Sequence, residues 1–129
     1  MLYLRPFRRS DYSVYRRWFE DSWLEQALGP MDEGWLEHVL HETGGAQFTA
    51  LEQEELVAVV GVIWGTSEHP YQVVTDLAVA PQRRRRGIGR QTLEALFRQA
   101  GPLVYARWVA YVGSDNPGAQ AFLRRLGWS

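Results

Sequence analysis

Apolar residues change their spacing several times along this chain, and each change marks an expected element. Leu2 and Leu4 alternate with Tyr3 and Arg5 ahead of Pro6, the pattern of a short first strand. Behind Ser10 or Asp11 as a cap, Tyr12, Tyr15, Trp18, Phe19 and Trp23 recur at helical spacing, which predicts one helix that Gly29-Pro30 breaks. A second short helix is expected over about residues 32–41, with Trp35, Leu36, Val39 and Leu40 on one side and Gly44-Gly45 after it. Residues 46–51 and 56–64 then read as strands joined across Glu52-Gln53-Glu54-Glu55, an antiparallel hairpin. A third strand, rich in β-branched residues, fills 71–79 and stops at Ala80-Pro81. Residues 82–88 form a basic, glycine-containing loop, and a helix starts near Gly89 with Leu93, Leu96, Phe97 and Ala100 facing inward until Gly101-Pro102. Residues 103–112 make another strand. Asp115 or Asn116 caps a last helix, with Pro117 in its first turn, Ala119, Phe122, Leu123 and Leu126 inward, and Gly127 at its end. The order β-α-α-β-β-β-α-β-α, with no repeat or linker, predicts one α/β domain over 1–129: a mixed sheet with helices packed on it.

Composition narrows what such a domain can do. The 129 residues, 46% of them apolar, suffice for one packed core. With no cysteine, disulfides, thiolate metal sites and thiol nucleophiles are excluded. No apolar run reaches membrane-spanning length and the first six residues are too short and polar for a signal peptide, so a soluble, cytoplasmic protein is expected. All 14 basic residues are arginine, which removes Schiff-base chemistry and a Walker-type lysine. The charge is divided: residues 1–64 set five arginines against eleven acids, residues 65–129 nine arginines against four. Two halves of opposite sign suggest two binding tasks.

The chemistry concentrates where the third strand runs into the basic loop: Leu77-Ala78-Val79-Ala80-Pro81-Gln82-Arg83-Arg84-Arg85-Arg86-Gly87-Ile88-Gly89-Arg90. A turn between strand and helix points backbone N–H groups outward beside the positive end of the helix dipole, which suits an anion. Side chains at Gly87 and Gly89 would block close approach to a bulky polyphosphate, and the arginines add bidentate donors. A dinucleotide fingerprint would need a third glycine where Thr92 stands.

What remains is the pattern Gln/Arg-x-x-Gly-x-Gly/Ala, here Arg84, Gly87 and Gly89, after a strand ending Leu-Ala-Val-Ala-Pro. About 27 residues later, Asn116-Pro117-Gly118-Ala119-Gln120-Ala121-Phe122-Leu123-Arg124-Arg125-Leu126-Gly127-Trp128 follows Asn-x-x-Ala-x-x-apolar-Tyr-x-x-x-Gly-Phe. The opening Leu2-Tyr3-Leu4-Arg5-Pro6 with Asp11 completes the likeness. Together these motifs resemble the GNAT family of N-acetyltransferases over nearly the whole chain.

The resemblance implies a mostly antiparallel sheet with a splayed parallel strand pair, short at its C-terminal edge, where family members carry one or two further strands. It implies acetyl-CoA as acetyl donor, a small primary amine as acceptor and direct attack in a ternary complex. Leu77, Ala78 and Val79 would hold the pantetheine arm. Residues Arg84, Arg85, Arg86, Gly87, Ile88, Gly89 and Arg90 would hold the pyrophosphate, and Asn116 and Phe122 would line the arm. The family tyrosine used as general acid falls at Leu123, so Tyr111 or a water would substitute. Asp76 is the first candidate for the base; the alternative is a polar residue that holds a strand bulge. Glu68 and His69 rank below it. The loss of the tyrosine also leaves room for a coenzyme-binding sensor without catalysis, and a sheet that ends early could be completed by a second copy of the chain.

Other features have plainer readings. The near-zero net charge and the lack of a second basic stripe argue against nucleic acid as the partner of residues 83–86, and Arg83 and Arg85 are expected to face solvent. His38 and His41 have helical metal spacing but no third ligand, and read as a wet helix face. Trp18, Trp23 and Trp35 are expected mostly in the core, with one or two free to line an aromatic acceptor site.

Overall fold

The computed structural model describes residues 2–68, 71–84, 86–100 and 107–110, with Ala121 and Arg124. Five strands form one sheet in sequence order: β1 (Leu2–Pro6), β2 (Gly45–Glu52), β3 (Glu55–Ile63), β4 (Tyr71–Val79) and β5 (Arg107–Ala110). The first four are antiparallel, and β4 and β5 pair in parallel from Tyr71↔Arg107 to Val74↔Ala110. The expected mixed sheet with one parallel pair is thus observed. Of the last predicted helix only Ala121 and Arg124, both helical, are among the described residues. Among the described residues, no helix is long and apolar enough to cross a membrane.

Helices cover both faces. On one face α4 (Ile88–Ala100) buries Ile88, Leu93, Ala95 and Leu96 against Leu4, Ala50, Val60 and Val74. On the other, α1 (Tyr12–Trp18), α2 (Ser22–Leu28) and α3 (Glu33–Leu40) close over Val59, Ala78 and Ala80 with Tyr15, Trp18, Phe19, Leu24 and Leu36. The single helix expected from residue 12 to Gly29-Pro30 is in fact two. Asp21 ends the first with a tight turn (N–H to Trp18 carbonyl, 3.1 Å), and its carboxylate accepts from the Leu24 N–H at 3.1 Å to cap the second. The new axis carries Trp23 outward, 51% exposed, where the periodicity placed it with the core aromatics. Asp32 caps α3, its carboxylate accepting from Trp35 N–H at 3.0 Å.

Asp11 precedes α1 but does not cap it. Its buried carboxylate accepts two hydrogen bonds from the Arg5 guanidinium (2.7 and 2.9 Å), one from the Arg8 N–H (2.8 Å) and one from the Thr49 hydroxyl (2.9 Å). It thereby ties the first strand, the turn into α1 and β2 together. Burial pulls its pKa up, but these donors, Arg5 foremost, outweigh that and hold the carboxyl below its ordinary value. Removal of one partner strands the other in a low-dielectric site, so Asp11→Ala is expected to cost about 3 kcal/mol, measured by chemical denaturation. Because the folded pKa is depressed, this stabilisation is present above the unfolded carboxylate range. It disappears as the pH falls through the folded pKa, and a pH series of wild type against Asp11→Ala should show their difference shrinking in acid.

Candidate functional site

One register shift organises the site. Along β3 and β4, Gly61 pairs with Asp76 and Val62 with Val74, so Thr75 is an extra residue in β4. Side chains alternate across a strand, and one inserted residue reverses which face the rest occupy. Val74 packs on the α4 side; past the bulge, Leu77 and Val79 pack there too, and Ala78 and Ala80 point to the α1–α3 side. Asp76 therefore shares the α1–α3 face.

Backbone direction follows from the same alternation. The Ala80 N–H donates to the Val57 carbonyl at 3.0 Å, so Ala80 and Ala78 direct their main-chain groups to β3. Leu77 and Val79 direct theirs the other way, to the β5 side, beyond the last described pair, Val74↔Ala110. Among the described residues no strand pairs with them there, and such donors and acceptors suit an extended ligand lying alongside.

The Asp76 carboxylate is half-buried. Gln47 Nε2 donates to its Oδ2 at 2.8 Å and the Thr75 hydroxyl to its Oδ1 at 2.8 Å. Burial pushes the carboxyl above its ordinary value, and the two hydrogen bonds offset this only in part. Tyr15, on α1, feels that charge: burial first and the Asp76 carboxylate second raise its pKa, so it remains a neutral phenol. Its ring sits among Phe7, Trp18, Phe19 and Trp35 at centroid distances of 5.1–5.7 Å. These aromatics, Trp18 and Trp35 included, are packed core.

After β4, a short turn over Pro81–Arg83 leads to Gly87 and α4. Gly87 has φ +75°, a left-handed conformation that side chains resist, and the space where its Cβ would stand is open apart from Gln91 Nε2 at 3.8 Å. The Gln91 N–H closes the first helical turn on the Gly87 carbonyl at 3.0 Å. The N–H groups of Ile88, Gly89 and Arg90 fall in that first turn, which has no intrahelical acceptors to offer them. Such N–H groups beside the positive end of a helix dipole are of the kind that suits an anion.

The arginines divide their work. Arg83 is not solvent-facing as expected: its side chain folds back to pair with Glu55 and, at 3.7 Å, with Glu52 at the β2–β3 turn. Arg84 forks onto Asp21 (2.8 and 3.3 Å) and lies over the Trp23 ring, 5.2 Å from its centroid. Arg90 pairs with Glu94 at 2.9 Å along the helix. Arg86 has no ion pair among the described residues. His38 and His41, 73% and 75% exposed, pair with Glu42 and Glu37 along α3. Arg85, Tyr111, Asn116, Phe122, Leu123 and His69 lie outside the described residues.

A family profile described as "Acetyltransferase (GNAT) family" matches residues 10–128. The chain belongs to that family. No curated protein matched in a sequence search, but solved structures share the fold. An acetyltransferase from Thermus thermophilus superposes with a TM-score of 0.82 at 24% identity, over 100% of this chain and 87% of the other. An aminoglycoside N-acetyltransferase, AAC(6')-Iy in complex with CoA, gives 0.75 at 17% identity, over 100% and 88%. A spermidine N-acetyltransferase, a SpeG chimera from Vibrio cholerae and hSSAT, gives 0.73 at 18%, over 96% and 77%. As in the rest of this family, the acetyl donor is acetyl-CoA. The edge groups of Leu77 and Val79 and the first turn of α4 behind Gly87 fit its two chemistries, an amide-bearing arm and a pyrophosphate.

Sequence reasoning missed Gln47 and Gly61. The signal was present only as a small residue inside an apolar strand. A Cβ at Gly61 would stand 2.3 Å from Asp76 Oδ1 and 2.6 Å from both Gln47 Oε1 and Thr75 Oγ1. Gly61→Ala should therefore displace the carboxylate from its partners and lower stability by about 1–3 kcal/mol, read by thermal or chemical unfolding.

Proposed function

We propose that the chain transfers the acetyl group of acetyl-CoA to a small primary amine, with Asp76 as the proton acceptor. The observation that carries this reading is a half-buried carboxylate on the α1–α3 face, beside main-chain groups of the same strand that point to the coenzyme edge. Acetyl-CoA supplies an acyl group already activated as a thioester. The protein's task is then to place an amine against it and to take the amine's proton.

In this reading Leu77 and Val79 hold the pantetheine arm through their backbone groups. The N–H groups of Ile88, Gly89 and Arg90 meet the pyrophosphate, and Arg86 adds charge. Arg84 acts through the loop's position, since its guanidinium is already engaged by Asp21. Asp76, with a raised pKa, is a stronger base than an exposed aspartate and accepts a proton from the ammonium form directly or through one water. Tyr15 stays protonated beside it and offers a hydroxyl on the same side. Acceptors of the kinds named for the spermidine and aminoglycoside enzymes, polyamines and amino sugars, suit a cation-seeking carboxylate and an N-terminal half rich in acids.

A thiol-release assay over a panel of polyamines and aminoglycosides tests this. Turnover with at least one is expected, with Asp76→Asn reducing kcat about 100-fold or more. Because the carboxylate must be ionised, kcat/KM should rise with pH through the raised pKa of Asp76, so the acidic limb lies above the ordinary aspartate range. Tight acetyl-CoA binding without turnover on any amine would instead favour a coenzyme sensor. A separate measurement concerns the loop. Gly87→Val imposes a strained φ of about 1–3 kcal/mol, and calorimetric titration should show acetyl-CoA affinity lowered at least about tenfold while circular dichroism stays native; unchanged affinity would reject the loop's role.

A further inference from the structure

The residue that meets Asp76 from farthest away is Gln47, and it does so across an intervening strand. Gln47 pairs with Gly61, and Gly61 pairs with Asp76, so the three lie in one row over β2, β3 and β4. Two strand spacings separate the ends of that row by about 9–10 Å. The amide crosses this gap only because the middle position has no side chain. The result is a 2.8 Å hydrogen bond from Gln47 Nε2 to Asp76 Oδ2, with Oδ1 taken by Thr75.

The set of groups around the carboxylate is unusual in what it leaves charged. From β2 comes a neutral amide, from β3 a glycine, from β4 a neutral hydroxyl and from α1 the neutral phenol of Tyr15. Among the described residues no arginine or histidine forms an ion pair with Asp76, in contrast to Asp11 and Asp21, each gripped by an arginine. A carboxylate has about four lone-pair positions, and two are used here. The backbone ladder already joins the strands, so the bridge is not required to hold them. It fixes the rotation of one carboxylate and leaves its charge unneutralised.

We infer that Gln47 is a positioning residue for acetyl transfer: lodged in the slot over Gly61, it orients Asp76 with a neutral donor and so preserves its basicity. The inference rests on the reading of Asp76 as proton acceptor. It explains why a glutamine serves here where an arginine or lysine would hold the carboxylate more firmly: a cation would lower its pKa and weaken it as a base.

The test compares Gln47→Leu and Gln47→Lys with wild type by two readouts. One is the titration of the Asp76 carboxyl carbon in the free protein, followed by carbon-13 NMR. The other is the pH profile of kcat/KM with acetyl-CoA and the best amine of the panel. Gln47→Leu removes a donor to the ionised form. Titration and acidic limb are expected to move together to higher pH, with kcat at the plateau lowered about tenfold. Gln47→Lys supplies a cation, and both should move to lower pH. A role confined to strand packing would move neither in opposite directions. If Asp76→Asn abolishes turnover while both Gln47 variants leave titration, limb and kcat in place, this inference alone is overturned. If the carboxyl titration moves and the acidic limb does not, Asp76 is not the titrating base and the parent reading falls with it.

Discussion

Everything at this site depends on one extra residue in β4. Thr75 has no partner of its own on β3, and its insertion turns the remainder of the strand over. Were Thr75 paired regularly with β3 instead of bulged, Asp76 would face the α4 core, where a carboxylate would meet apolar side chains. With the bulge, the acid stands on the face covered by α1 and α3, and the main-chain groups of Leu77 and Val79 turn to the β5 side. One local irregularity thus assigns an acidic group to one side of the strand and the main-chain groups of Leu77 and Val79 to the other. A transferase needs that separation, because its donor and its acceptor must arrive from different directions and meet at one carbon.

The second organising element is the set of arginine pairs around the basic loop. Arg83 reaches back to the β2–β3 turn, and Arg84 reaches across to the N-terminus of α2 and the Trp23 ring. These contacts brace the segment between Ala80 and Gly87 from two sides. The charge asymmetry between the two halves of the chain is therefore used in part internally: acids of the first half, Asp21, Glu52 and Glu55, take up arginines of the second. Among the described residues of the loop, Arg83 and Arg84 are engaged in ion pairs and Arg86 has none, so the loop does not present a row of free guanidinium groups there.

Much of the fold was legible in residue spacing. Alternation located β1, and apolar or β-branched runs located β2 to β4 within a residue or two; glycine and proline punctuation located α3 and α4. The split between α1 and α2 was not legible, because Trp18, Phe19 and Trp23 keep helical spacing through the break. What decides it is a capping bond from Asp21, and an aspartate in mid-helix pattern reads equally as a surface residue. Asp11 misled in the opposite sense: its position before a helix suggests a cap, but Arg5 and Thr49, 6 and 38 residues away, claim its carboxylate. The candidate site divides the same way. The glycine-bearing loop before α4 is local, so its glycines were readable, whereas the bulge and the Gln47–Asp76 bridge arise from strand pairing 29 residues apart. Pairing register is a tertiary property that neighbouring residues do not encode.

The most direct test is a crystal structure of the protein with CoA and its best amine bound together. The expected result is a pantetheine arm bonded to the main chain of Leu77 and Val79, with the amine nitrogen on the α1–α3 side within hydrogen-bond reach of Asp76, directly or through one water. A pantetheine arm seated away from β4, or an amine held by some other carboxylate, would contradict it.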